Sequence, residues 1–382
     1  MQTDYLVKGG GAMAMAFVDA MLKESDATFT IVDQRAAPGG HWNDAYPFVR
    51  LHQPSACYGV GSKPLGRDRI DQTGFNQGLN ELASGIEVAD YFHQVMRDEF
   101  LPSGRVAYHP MSEVVGELEN GEIKIASLLS GRRERIAVKR KLVDGTMIAT
   151  SIPLTHKRKF TVADGVACIP PNDLTRRAPD HTHFTVLGAG KTAIDSILWL
   201  LANGAPREAI TWVLPRDPWL VNRATGQPGL GFFDWSIGKI AEQYEICGQA
   251  ASERELCERM EAARIWLRLD PDVWPTMMHG ATVAALELEQ LRLIERKIRL
   301  GRVQAVTADK IVLDQGEVPT EPGALYVDCT ARALSRNVND RSPVFDGDII
   351  RLQMIRQYQP TFSAALIGHL EATIEDEAEK RA

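Results

Sequence analysis

Two glycine runs carry the spacing most suited to chemistry in this chain of 382 residues. The first, Gly9-x-Gly11-x-x-Ala14, stands between the apolar stretch "DYLVK" at 4–8 and the helix-forming stretch "AMAMAFVDAMLK" at 12–23. Gly9 permits a tight turn, Gly11 lets the backbone approach a pyrophosphate, and Ala14 is small enough for a helix to pack on a sheet. The helix start, at Ala12 and Met13, offers unpaired N–H groups and the positive end of a dipole to phosphate. Asp33 ends the β-branched run "TFTIVD", 24 residues after Gly9, and Gln34 follows it. A carboxylate at that strand end accepts hydrogen bonds from ribose hydroxyls. Lys8 is out of pattern, because a strand buried on both faces needs an apolar residue there and a buried, unpaired ammonium is costly. It must reach an acid such as Asp33, reach the cofactor phosphates, or snorkel to solvent.

The second run, Gly188-x-Gly190-x-x-Ala193, also follows a β-rich stretch, "HFTVL" at 183–187, and opens a helical one. Lys191 and Thr192 complete "GKT", but Thr185 stands where a triphosphate-binding P-loop needs its leading glycine, which argues against a kinase or ATPase. The next β-rich run, "AITWVL", ends without an acid and leads to Arg216, with Arg223 beyond it. An arginine there pairs with the 2′-phosphate of NADP; the alternative is a solvated loop charge.

FAD suits the first loop better than NAD, because Gly40 in "PGGHW", Pro38 to Trp42, lets the next loop pass close to a large cofactor. His41 and His52 lie in the same irregular stretch, where each could hydrogen-bond a flavin or move a proton, or else satisfy a loop carbonyl. Gln53 and Ser55 could meet the isoalloxazine edge or serve the turn around Pro54. His181 and His183 have no third ligand at metal spacing, so no metal site is expected. Trp235, Trp266 and Trp274 are expected in a packed core, with an aromatic substrate pocket as the alternative.

The elements that position these residues form two strand–helix–strand units, one at each glycine run. The fold class expected is α/β: two Rossmann-like, doubly wound parallel-sheet dinucleotide-binding domains, with an antiparallel β meander at 106–146 and a helical insert at 234–300. Residues 1–150 and 305–382 are expected to form the FAD-binding domain, and 180–300 the NAD(P)H-binding domain. The polar tail "TIEDEAEKRA" is expected to fray.

The totals narrow the function classes. Net charge is −7, which gives no global attraction to nucleic acid or an anionic membrane. The five cysteines contain no C-x-x-C pair, which argues against a disulfide framework, a zinc ribbon and a dithiol redox site. No secretory signal and no 18-residue apolar run is visible, so a cytoplasmic protein is expected. The partners expected are a small-molecule substrate and, as one option, a second copy in a homodimer.

"GGHW", "VLGAGKTAIDSILWLL" and the late "LYVDCT", in this order, resemble flavin-dependent monooxygenases with two dinucleotide domains, a group that includes flavin-containing and Baeyer–Villiger monooxygenases. The resemblance implies Gly9, Gly11 and Ala14 at the FAD pyrophosphate and Asp33 at the adenine ribose. It implies Gly40 and Trp42 beside FAD, and Gly188, Gly190 and Lys191 at the NADPH phosphates. In that layout Thr361 and Ser363 run near the flavin ring. Two motifs depart from the group: no phenylalanine–glycine–histidine fingerprint lies between the loops, and "DCTA" at 328–331 replaces an A-T-G. "DGTMIATSIP" at 144–153 is the expected first crossover. The activity implied is NADPH-driven oxygenation of a small organic substrate through a flavin C4a-(hydro)peroxide. A reductase or dehydrogenase without oxygenation, and a non-redox protein keeping the fold, are the rivals.

Overall fold

β1 (Gln2–Lys8) sends Tyr5 and Val7 to one packed layer and Leu6 to another. The computed structural model describes residues 1–148, 151–331, 341–356 and 358–381. Ala149 and Thr150, within the expected crossover, therefore lie outside the described residues. Helix α1 (Ala12–Glu24) consists of good helix formers and packs on the Tyr5–Val7 face. β2 (Phe29–Val32) lies parallel beside β1. Helix α2 (Gly85–Val95) begins with a capping box from Ser84 and Glu87 and precedes β3 (Val106–His109), which pairs parallel with β2. β4 (Ser112–Glu119), β5 (Glu122–Ser127) and the first half of β6 (Arg133–Asp144) form an antiparallel meander. The second half of β6 turns parallel to β1.

The second unit is contiguous. It comprises β7 (Thr161–Val162), β8 (Cys168–Ile169), α3 (Leu174–Arg177), β9 (Phe184–Leu187), α4 (Lys191–Ala202), β10 (Ile210–Val213) and β11 (Pro218–Asn222). There follow α5 (Lys239–Gln249), α6 (Glu253–Ala262), β12 (Trp266–Arg268), β13 (Met277–Val283), α7 (Ala285–Arg292) and β14 (Lys297–Ile298). β15 (Val303–Val306), β16 (Lys310–Leu313), β17 (Gly316–Pro319) and β18 (Leu325–Asp328) complete it. Its central sheet is parallel, in the order β14-β10-β9-β18-β8. The chain then returns to the first sheet through β19 (Phe345–Asp346) and β20 (Ile349–Arg351), and ends in α8 (Pro360–Thr373) and α9 (Glu377–Arg381).

Several expectations change. Residues 106–109, expected in the meander, extend the parallel row, because a four-residue strand takes its class from whichever edge is open. Residues 303–328, most of them expected with the first unit, belong to the second: four successive buried residues, "LYVD", suit β18 to a place between β9 and β8. The expected helical insert is helical only in part, since Met277–Val283 is a strand beside β11. Trp266 and Trp274 pack around Trp219, but Trp235 is 40% exposed and is no core residue.

The tail is expected from the sequence to fray, but among the described residues it ends in α9, held by ion pairs. Lys380 is 4% exposed in its side chain and bonds Glu371 and Glu377, each at 2.8 Å. Lys141 of β6 joins both acids, and the Tyr5 hydroxyl donates to Glu371 at 2.8 Å. Glu371 thus answers two ammonium groups in a site with little water. Glu371→Ala is expected to cost about 3–5 kcal/mol, read as a lower urea midpoint, because it strands buried charge.

Candidate functional site

Both glycine runs stand at the carboxyl ends of parallel strands, where ligands bind in open α/β sheets. Gly9 has φ 95°, and Gly11 is the extended N-cap of α1, with no side chain capping the helix. The leading amides of α1, at Ala12, Met13 and Ala14, therefore face the loop uncapped. Gly39 donates its amide to the Gly10 carbonyl at 2.8 Å, which lays the "GGHW" segment across the turn. Gly40 has φ 58°, and a Cβ there would sit 2.9 Å from the Gly11 Cα. Two backbones meet with no side chain between them. An uncapped helix start framed by glycine backbone is the donor set a dinucleotide pyrophosphate requires, so the residues fit that group.

Asp33 is placed beside this turn but faces inward. It is 4% exposed, one carboxylate oxygen accepts the Gly10 amide, and the other accepts the Arg35 amide at 2.7 Å. Gln34 is exposed and reaches Glu113. Lys8 shares the face of Leu6, which packs on the meander, while α1 covers the opposite face. Its ammonium is therefore directed away from the α1 start, and it makes no hydrogen bond or ion pair among the described residues. It is half-buried, which suits the snorkelled arrangement.

The segment after Gly40 links the two units. Trp42 donates to the Tyr58 hydroxyl at 2.8 Å and stacks on His41. Tyr46 is buried and its hydroxyl bonds Asp195 of α4 at 2.7 Å; Phe48 stacks on Trp199 of the same helix. Asp195 also holds Lys191, so the lysine expected at the NADPH phosphates is paired along its own helix. Burial raises both Tyr46 and Asp195, and the Lys191 charge opposes the rise at Asp195.

Gly188 has φ 125°, and a Cβ on it would lie 2.6 Å from the Cys329 carbonyl. That close approach, from the residue after β18, makes glycine obligatory. Gly190 is the uncapped N-cap of α4 and has open space beside it; Thr192 follows on the first turn. Arg216 is exposed just beyond β10 and makes no hydrogen bond or ion pair among the described residues.

Three candidates are structural. Arg223 is 1% exposed and bonds Glu287 at 2.8 Å, Asn76 at 3.0 Å and the His52 carbonyl at 3.2 Å, so it ties a loop to the second unit and is withdrawn from any phosphate. Ser55 is 1% exposed and joins the Glu81 carbonyl to the Ala83 amide, a turn-holding role that withdraws it from the isoalloxazine edge. Ser363 bonds the Gln359 carbonyl at the start of α8. Gln53 accepts from Gln359, and Thr361 is buried in that first turn. Sequence reading missed the Tyr46–Asp195–Lys191 chain; the i,i+4 spacing of Lys191 and Asp195 was its one local signal. Among the described residues no cluster could hold a metal ion, and no helix is long and apolar enough to cross a membrane.

The architecture is that of the two-dinucleotide-domain flavoproteins. Cyclohexanone monooxygenase superposes with a TM-score of 0.56 at 14% identity, covering 99% of this chain and 91% of that one. A flavin monooxygenase from Stenotrophomonas maltophilia gives 0.55 at 11% identity, covering 97% of each chain. Bacillithiol disulfide reductase from Bacillus cereus gives 0.51 at 10% identity, covering 98% and 99%. At these identities the likeness establishes the fold. The chain belongs to the family of the uncharacterized protein Rv2000 of Mycobacterium tuberculosis, with 46% identity over 380 residues, 100% of this chain and 69% of the relative. A Mycobacterium bovis relative, uncharacterized protein Mb2023, matches to the same extent. No family model matches the chain.

One histidine of the linking segment makes stability depend on pH. His41 is lowered to about 4, first by burial and then by the Arg35 charge. Unfolded histidine titrates near 6.5, so below that pH the unfolded chain binds more protons than the folded one. Stability is expected to fall between pH 6.5 and about 4, and His41→Asn should shrink that fall in urea midpoints measured across the window.

Proposed function

We propose that this chain is a flavin-dependent NAD(P)H oxidoreductase, and that its reaction is NADPH-driven monooxygenation of a small organic substrate. The observation that carries the reading is the pair of uncapped helix starts behind glycine turns, at α1 and α4, joined by one segment running from Gly40 to Tyr46 and Phe48. The fold likeness to flavin monooxygenases supports it.

Bound FAD would supply hydride acceptance and onward electron delivery. Gly9, Gly11, Ala12, Met13 and Gly40 would hold its pyrophosphate through backbone N–H groups, and Asp33 would hold the turn rigid beneath it. Gly188, Gly190 and Thr192 would take the NADPH phosphates, with Arg216 at the 2′-phosphate. Lys191 must leave Asp195 to join them. His41 is held neutral near pH 7, so it can donate or accept a hydrogen bond without adding charge. The domain reading that follows assigns FAD to the sheet of β1 and NADPH to the sheet of β9.

A second reading, a reductase without oxygenation, is supported by the similar likeness to bacillithiol disulfide reductase. The visible spectrum of the purified protein, with and without added FAD, tests both readings, and a preparation that takes up no flavin defeats both. Anaerobic titration with NADPH and NADH identifies the donor. Oxygen uptake coupled to substrate turnover separates monooxygenase from reductase.

Two variants test the site itself. Gly40→Ala places a Cβ 2.9 Å from Gly11 on a backbone with φ 58°. It is expected to weaken FAD binding about tenfold or more by flavin-fluorescence titration. Lys8→Val, altered on the meander face, is expected to keep or improve retention, and a marked loss would mark Lys8 as a phosphate ligand.

A further inference from the structure

The second unit carries a cavity remote from both glycine runs. Thr185, Thr211 and Tyr326 stand in one row, because β9 pairs in register with β10 on one side and β18 on the other. Each is the second residue of its strand, whereas the glycine turn at Gly188 follows the last residue of β9. Strand alternation places Thr185 with Leu187 and Thr211 with Val213, on the face covered by β15 and β16. Helix α4 covers the other face, through Val186 and Trp212. The row is thus on the reverse side of the sheet from the α4 helix, at the far end of the strands.

A cavity of about 260 Å³ opens over this row, with Thr185 and Thr211 on its floor. The two threonines are 5% and 9% exposed, and their hydroxyls make no hydrogen bond among the described residues. Tyr326 beside them is 3% exposed, and its hydroxyl has no partner either. The two threonine hydroxyls open into the cavity unpaired, so a ligand or ordered water there can complete them; Tyr326 stands behind the floor and does not line it. Ile298, Ile311, Val318 and Pro319 form an apolar wall. The charges at the rim balance: Arg296 is paired with Glu321, the Lys297 ammonium donates to the carbonyls of Arg292 and Ile294, and Glu295 adds the second acid.

We propose that this cavity binds a small uncharged polyol of monosaccharide size. Each floor hydroxyl both donates and accepts, and adjacent strands set them about 4.8 Å apart, a repeat that complements a molecule with hydroxyls along one edge. The apolar wall takes the C–H face of such a ring. The balanced rim gives no preference to an ion. The volume is about nine times the share of one water in the liquid, enough for one sugar ring and too small for a dinucleotide. The site is independent of the cofactor reading.

The test is saturation-transfer NMR on the full chain with glucose, ribose and myo-inositol, and with adenine and nicotinamide as planar controls. Transfer to at least one polyol is expected, with affinity reduced about tenfold or more in the Thr185→Val/Thr211→Val double variant. Valine keeps the shape of threonine, so that variant should melt at or above the parent temperature, as the loss of unpaired hydroxyls requires. No transfer to any polyol, transfer that survives the double substitution, or transfer to the planar controls alone overturns the proposal. A double variant that melts well below the parent also overturns it, since the hydroxyls would then be holding the fold.

Discussion

The contact between Gly40 and Gly11 is the constraint from which the rest of the cofactor region follows. With no side chain on either residue, the segment after β2 lies flat on the α1 turn, and the Gly39 amide fixes it there. That fixes where Trp42, Tyr46 and Phe48 emerge. Tyr46 and Phe48 then find α4 of the second unit, and farther along, Asn76 and the His52 carbonyl find Arg223. The relation between the two sheets is thus set from a turn at the carboxyl end of the strands of one of them.

Besides the Phe48–Trp199 stack, the linking contacts include buried polar chains. Tyr46, Asp195 and Lys191 form one chain, and Arg223 with Glu287 forms another. Buried ion pairs contribute little net stability against an apolar substitute, but losing one partner is costly. Such a joint tolerates few geometries. It also places Lys191 in a contest between Asp195 and any anionic group arriving at the α4 start.

The fold was legible in the sequence wherever the signal was local. The strand, turn and helix around Gly9 and around Gly188 follow from periodicity and glycine spacing over about thirty residues, and the structure has them in place. The candidates that failed depend on distant partners. Ser55 and Arg223 are polar residues in loops, and nothing in their neighbours reveals that Glu81 or Glu287 will bury them. The tail reads as polar because it is polar; its order comes from Lys141 and Tyr5, the latter 366 positions away from Glu371.

The knot of Tyr5, Lys141, Glu371 and Lys380 has a consequence for the order in which the chain takes shape during synthesis. The second unit closes its sheets within residues 161–328 and needs nothing from the last fifty residues to do so. β1, although made first, gains its Glu371 partner, which Lys380 holds in turn, only when the final helices leave the ribosome. The N-terminal strand therefore waits, half packed, while the later-made unit matures ahead of it. A stalled or shortened product would present an intact second unit joined to an unfinished first one.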